Sequence, residues 1–319
     1  YGLQPDDEHG LKRVLGVDFQ GVGAPYTGPR LHEAPDDPNV RIAPDWGIRT
    51  RYIEHEFGSY WEPWPHLTDL DEETAASYPL PSPDDFDYSR VRTECARHRD
   101  FAVFAHAGFE VMNWTGRLVG DETMYVGLAL QDPALLTFIN RFVDVKFDIL
   151  RRIIDAAKGG IDVVCIGEDL GTQRGPRISL EMFRDRIRPV HQRFVDLAAS
   201  HGLPVMIHSC GSCSWAFNEF IDMGITAVDT LQPEPKDMDP AYLKQNFGDK
   251  LAFHGCISTA GPVGRGTVEE TVADCRRTLD IMMPGGGYCF APTHQLQDNS
   301  PTENVVAMYE TAHTRGHYA

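Results

Sequence analysis

A histidine and a cysteine stand two residues apart in His208-Ser209-Cys210, directly after the apolar run Leu203-Pro204-Val205-Met206-Ile207 and before Gly211. The run predicts a short buried strand, and residues i and i+2 of a strand point to the same side. An imidazole and a thiolate delivered to one strand tip make a zinc-type ligand pair. His294 is the candidate third donor, because it closes the segment Gly285-Gly286-Gly287-Tyr288-Cys289-Phe290-Ala291-Pro292-Thr293-His294 just past another predicted strand. Glu168 or Asp169, at the end of the run Ile161-Asp162-Val163-Val164-Cys165-Ile166, could fill a fourth position. A His-x-Cys alone is more often incidental than a ligand pair, so the weight rests on joint placement at strand tips. Cys213 and Cys289 compete as thiol donors, but the first falls at a helix start and the second in mid-strand.

The elements that must position these groups alternate regularly from about Phe101 onward. Phe101-Ala102-Val103-Phe104-Ala105 reads as a strand ending in His106. Leu135, Phe138, Ile139, Phe142, Val145, Ile149, Leu150, Ile153 and Ile154 recur at helical spacing, and Gly159-Gly160 ends that helix. A long helix over roughly 179–200 follows, with Ser179 as its cap. Helices 214–223, 240–247, 268–282 and 302–313 then alternate with strands ending at Leu231, His254 and Ala291. Repeated β-then-α units predict a parallel sheet. No Gly-x-Gly-x-x-Gly follows the first strand, so a dinucleotide fold has no local support. Polar residues end nearly every strand: His106, Glu168-Asp169, His208, Asp229, His254 and Thr293-His294. That ring of chemistry predicts a (β/α)8 TIM barrel, an α/β fold, over residues 96–319. Residues 1–95, rich in Pro, Asp and aromatics, read as an irregular N-terminal segment packing on the barrel, the whole forming one domain.

The 319 residues carry a formal charge of −18, which argues against nucleic acid and anionic membranes as partners. No apolar stretch approaches the roughly 20 residues of a membrane span. The seven scattered cysteines read as a reducing, cytoplasmic location. No signal peptide is visible, and a chain opening on Tyr1 leaves a preceding segment open.

Several stretches resemble the uroporphyrinogen decarboxylase superfamily: His208-Ser209-Cys210-Gly211, the DTLQP run from Asp229 to Pro233, Met238-Asp239-Pro240, Phe247-Gly248-Asp249, and the tail GGGYCFAPTHQLQDNSPTEN from Gly285 to Asn304. The resemblance runs from about Trp46 to the C-terminus and implies a (β/α)8 barrel. Within the superfamily, the metal-free decarboxylases carry an N-terminal signature close to Arg-Gln-Ala-Gly-Arg, and this chain shows no such stretch. The corrinoid-linked methyltransferases share His-x-Cys-Gly and take a third zinc ligand from a cysteine in Ala-Pro-Gly-Cys. Ala291-Pro292-Thr293-His294 aligns with that segment and has histidine in place of the cysteine. This departure counts against coenzyme M as methyl acceptor. The GEDLGTQ stretch from Gly167 to Gln173 is similar to the members that take methyl groups from methoxylated compounds.

The resemblance thus implies a zinc-dependent methyltransferase, an O-demethylase, passing a methyl group from a small methoxylated donor to cobalamin carried by a separate corrinoid protein. Zn²⁺ would be held by His208, Cys210 and His294, with Glu168 completing the shell. Asp169 would orient a ligand histidine, and either carboxylate could serve instead as general acid to the leaving oxygen. His106, Trp114, Arg174, Asp229, Gln232 and Gln297 are the candidate substrate-binding residues; Trp114 reads more readily as core, the glutamines equally as helix caps, and Arg174 slightly more readily as a surface ion pair. The competing class is a metal-free decarboxylase of an anionic substrate, with Asp169 or Asp229 holding the protonated intermediate. A non-catalytic sensor or docking barrel is a third reading. A homodimer is compatible with the sequence.

Overall fold

The computed structural model describes every residue except Tyr1, Leu3, Pro5, Asp6, Glu56, Phe57, Phe109, Asp298, Asn299 and Ala319, with backbone alone for His55 and Gly58. In chain order the strands are β1 (Phe19–Val22), β2 (Val40–Ile42), β3 (Arg49–His55), β4 (Gly58–Pro63), β5 (Ala102–His106), β6 (Val163–Gly167), β7 (Val205–Ser209), β8 (Ala227–Thr230), β9 (Ala252–Ile257) and β10 (Tyr288–Pro292). Seven of them form one sheet in the order β1-β5-β6-β7-β8-β9-β10, and every pairing in it is parallel. Helices fill the connections from β5 onward, as the β-then-α reading requires.

The sheet curls strongly. β1 and β9 lie five places apart in the sheet order, which in a flat sheet is roughly 24 Å. Yet the Phe19 ring of β1 sits 5.3 Å from the His254 ring of β9, across the hollow side. That is the curvature of a TIM-like barrel. Among the described residues β1 and β10 share no hydrogen bond, so seven strands stand where eight were expected.

Burial follows the curl. In β7, Val205, Ile207 and Ser209 are buried, while Met206 and His208 are half-buried on the other face. β8 and β9 alternate likewise, leaving Asp229 and His254 half-buried. The sheet–helix interface is therefore the drier face, and the hollow side carries the polar tips.

Residues 1–95 differ from an irregular segment in two places. β1 is an integral strand of the main sheet, with Phe19 opposite Ala102. β2, β3 and β4 form a second, antiparallel sheet. Trp46, Ala75, Tyr78, Val91 and Cys95 join the main core. Arg141 fastens the segment from the helix Pro133–Ala157, donating to the carbonyls of Ala75 at 2.6 Å and Tyr78 at 3.1 Å. Among the described residues no helix is long and apolar enough to cross a membrane.

The same helix buries Lys146, which is only 8% exposed. Its ammonium lies 3.7 Å from the centre of the Trp46 ring, 4.5 Å from Trp114 and 5.6 Å from Phe142, with no carboxylate in ion-pair contact among the described residues. Loss of solvent lowers this amine to about 7, with Asp45 pulling the other way. The folded state thus favours the neutral amine, whereas an unfolded lysine stays protonated to about 10.4. The penalty is full below pH 7 and fades as pH rises toward the unfolded value. Lys146→Met should therefore stabilise the fold by about 3–4 kcal/mol at pH 7. Urea unfolding at pH 7 and pH 10 checks this, and the gain should shrink at the higher pH.

Candidate metal centre

Strand register builds the site. Gly167 of β6 is level with His208 of β7, His208 with Asp229 of β8, and Asp229 with His254 of β9. Register partners project from the same face of a sheet. One row across three adjacent strands therefore presents imidazole, carboxylate and imidazole to the hollow side. Asp229 bridges the row, with His208 Nδ1 at 2.7 Å from one oxygen and His254 Nδ1 at 2.6 Å from the other.

His208 is left with Nε2 facing Cys210, 3.5 Å from its Sγ. The same Nε2 lies 3.8 Å from Asp169 Oδ1. Asp169, His208 and Cys210 each offer a ligand atom, and the three atoms lie within 4.8 Å of one another. This is the group of at least three His, Cys, Asp or Glu found at metal-binding distances among the described residues. Asp169 is fixed at both oxygens: Oδ1 accepts from the backbone N–H of Cys210 at 2.9 Å, and Oδ2 from Asn113 Nδ2 at 2.7 Å.

Two loops hold these donors together by close backbone approach. Gly171 N–H donates to the Cys210 carbonyl at 3.1 Å, and Ser212 N–H to the Thr172 carbonyl at 2.8 Å. A Cβ on Gly211, which has φ +74°, would run into the backbone of Gly171. Glycine follows Cys210 for that reason. Gln232 accepts from Gly211 N–H at 2.9 Å and steadies the turn.

The electrostatics favour charged forms. Burial pushes Asp229 up, but hydrogen bonds from His208 and His254 outweigh it and lower the carboxyl to about 2. Burial pushes His208 down, and its bonds to Asp229 and Cys210 reverse this, raising it to about 11. For Asp169 burial again works upward, and the Cys210 N–H, Asn113 and the charge of His208 hold it below its usual value. Glu110, at the entry of the helix Val111–Val119, goes the other way: burial and then the charges of Glu168 and Asp169 raise it. The cluster thus places a fixed carboxylate and a readily protonated imidazole beside the Cys210 sulfur, with a nearby carboxyl that keeps its proton longer than usual.

The structure separates the expected site residues. His208, Cys210 and Asp169 come together, Asp229 holds His208, and Gln232 supports the turn. Glu168, expected as the fourth ligand or as a general acid, is fully buried on the other side of its loop. It accepts from Val111 N–H at 2.7 Å and Met112 N–H at 3.0 Å and pairs with His191 Nε2 at 3.0 Å. Asp169 stands among the donors instead. His294 is exposed, with its ring centre 6.5 Å from that of His208, beside the three-residue group. His106 is exposed at the β5 tip and accepts from Gly108 N–H through Nδ1 at 2.6 Å. Trp114 packs on Trp46 and Phe142, Arg174 is exposed in the turn after β6, and Gln297 is exposed next to undescribed residues. Sequence reasoning did not assign His254, Asn113 or Glu110 to the site. His254 had a signal, as a polar strand end; the other two come from the loop and helix after β5 and had none.

The family model described as uroporphyrinogen decarboxylase (URO-D) matches residues 115–315, more than half of the chain. No curated protein matches the sequence. Among solved structures, a methyltransferase from Methanosarcina mazei is similar with a TM-score of 0.61 and 16% identity, over 96% of this chain and 83% of that one. Dispersin B is a remote likeness, with a TM-score of 0.38 and 10% identity, over 79% of this chain and 86% of that one. At 16% identity the first likeness speaks for a shared fold.

Proposed function

Since the chain belongs to the uroporphyrinogen decarboxylase family, we propose that it is a zinc-dependent methyltransferase of that family, moving a methyl group from a small methoxylated compound to a corrinoid protein. The observation that carries this reading is the group Asp169, His208 and Cys210, whose donor atoms lie within 4.8 Å of one another at the polar end of the sheet. A thiol 3.5 Å from an imidazole Nε2 is a zinc-type ligand pair, which favours the metal-dependent branch over the metal-free one. A solved structure of this fold described as a methyltransferase is compatible with the same choice.

The donor set fits zinc. One imidazole, one thiol and one carboxylate are ligands that Zn²⁺ accepts, and three protein ligands leave a position open. His208 has its Nδ1 committed to Asp229, which leaves Nε2 for the metal, the carboxylate–histidine arrangement common behind metal ligands. His294 would supply a fourth contact from the loop after β10. When bound, zinc supplies Lewis acidity at one substrate oxygen.

The remaining chemistry falls to the chain. As the methyl carbon–oxygen bond breaks, its electron pair stays on the leaving oxygen, and the methyl carbon takes the pair for its new bond from the reduced cob(I)alamin of the partner protein. Methyl ethers leave poorly, so stabilising the departing oxygen is where catalysis must act. Asp229 holds His254 through Nδ1 and so fixes that ring on the same carboxylate as His208. Burial and the charges of Glu168 and Asp169 raise the Glu110 carboxyl, which makes it a candidate acid for returning a proton to the oxygen. A cytoplasmic location accords with seven free cysteines.

The test is a methyl-transfer assay with free cob(I)alamin as acceptor and a panel of methoxylated compounds, followed by the absorbance of methylcobalamin. Zinc-loaded protein should transfer methyl groups, and protein stripped by a chelator should not. Carbon dioxide release from a carboxylated substrate by the stripped protein would establish the decarboxylase reading instead.

A further inference from the structure

We propose that the cleft beside Asp169 binds the anionic end of the substrate through Arg117 and Arg177, so that the methyl donor is a methoxylated monocarboxylate and not a neutral ether. The naming of a methyl donor rests on the methyl-transfer reading; the anion site does not.

The cleft has a volume of about 460 Å³, and Asn113, Arg117, Asp169, Arg177, Pro63 and Pro65 are among its lining. That size suits a small molecule. Asp169 belongs to the candidate metal centre, so one wall of the cleft is a residue of that centre. The two prolines come from the end of β4 and the residues after it, which places part of the N-terminal segment over the same space.

Arg177 has donors to spare. It gives 2.9 Å and 3.5 Å hydrogen bonds to Asn113 Oδ1 and the Asp169 carbonyl, and its guanidinium lies 5.6 Å from the centre of the Tyr125 ring. Its carboxylate neighbour, Asp121, is at the 4.0 Å limit of an ion pair and 69% exposed. A guanidinium carries five N–H donors in a fork suited to a carboxylate. Arg117 is exposed on the helix that also carries Asn113, with its guanidinium 5.9 Å from the centre of the Trp114 ring and no carboxylate in ion-pair contact among the described residues. Glu62 and Asp121, also in the lining and both exposed, limit the negative charge the cleft accepts. A monoanion fits this balance better than a dianion.

One side chain links the anion site to the metal centre. Asn113 accepts from Arg177 through Oδ1 and donates to Asp169 through Nδ2. The anion site and the metal centre thus share one side-chain amide, which ties the placement of the substrate's anionic end to that of Asp169.

The experiment is calorimetric titration of zinc-loaded protein with 4-methoxybenzoate and with its neutral partner 4-methoxybenzamide. The acid should bind about tenfold more tightly than the amide, as a charge-assisted guanidinium–carboxylate contact predicts. Arg117→Gln should cut that preference to about threefold or less while zinc content and amide affinity stay unchanged. Arg177→Gln should remove the preference and also weaken zinc, because Asn113 loses its hold. Equal binding of acid and amide, absence of acid binding, or a preference that survives in the double variant would overturn the inference. The titrations are repeated on metal-free protein. An acid preference there that depends on Arg117, in a chain that takes up no zinc, would keep the anion site and remove the methyl-transfer reading. Stoichiometric zinc without any acid preference would remove the anion site alone.

Discussion

Cys210→Ser and His208→Ala should each lower zinc affinity on the order of a thousandfold, because each removes one of the three donors clustered among the described residues. Asp229→Asn should cost less, about 10–100-fold, since it takes away the partner that fixes the ring and leaves every ligand atom in place. The metal-free site predicts the pH dependence. His208 is raised to about 11 by Asp229 and Cys210, so below that value Nε2 carries a proton that zinc must displace. Affinity should fall by about tenfold for each pH unit of acidification from this proton alone. Competition with a chromogenic chelator at several pH values measures the slope, and titration of unbuffered protein with Zn²⁺ should release acid. Cobalt(II) gives a second readout, because the thiolate-to-cobalt absorption of the native protein should be missing in Cys210→Ser. Unchanged zinc stoichiometry in Cys210→Ser would contradict the site.

The parts of this centre that sequence revealed are those set by local spacing. His208 and Cys210 share a strand tip because side chains repeat every two residues, and the alternation of strands and helices was visible from Phe101 onward. What stayed hidden depends on long-range register. β1 is four residues long and lies in a Pro- and Asp-rich stretch; only its pairing with β5 makes it a sheet strand. His254 was legible as a polar strand end, but its bond to Asp229 comes from the register of β8 and β9, which leaves no local trace. Asn113 and Glu110 arrive from beyond β5, and no spacing rule links them to residues more than fifty positions away. Glu168 and Asp169 were interchangeable in sequence. As neighbours leaving one strand they point to opposite sides, and only burial tells which one meets the metal donors.

Glu168→Ala should destabilise the fold by about 3–5 kcal/mol while leaving the donor set of the metal centre intact, which is the opposite of what a ligand would do. The fully buried Glu168 carboxylate accepts the first two N–H groups of the helix Val111–Val119 and pairs with His191 on the helix Arg188–Ser200. Helix N-terminal N–H groups have no partner within their own helix, so removing the carboxylate leaves two donors buried and unsatisfied. It also breaks the pairing between the β6 tip and two helices on either side of it. Glu168→Gln keeps the shape and one acceptor, and should cost about 1–2 kcal/mol. For a chain of this length the alanine variant should lose about 5–8 °C in melting temperature. Thermal unfolding measures that loss, and zinc stoichiometry of the folded variant at low temperature separates the two roles. Retained stoichiometric zinc assigns Glu168 to the scaffold behind the site. Loss of zinc at native stability would place it among the ligands and require the loop after β6 to turn over, carrying Asp169 away from Cys210 and Asn113.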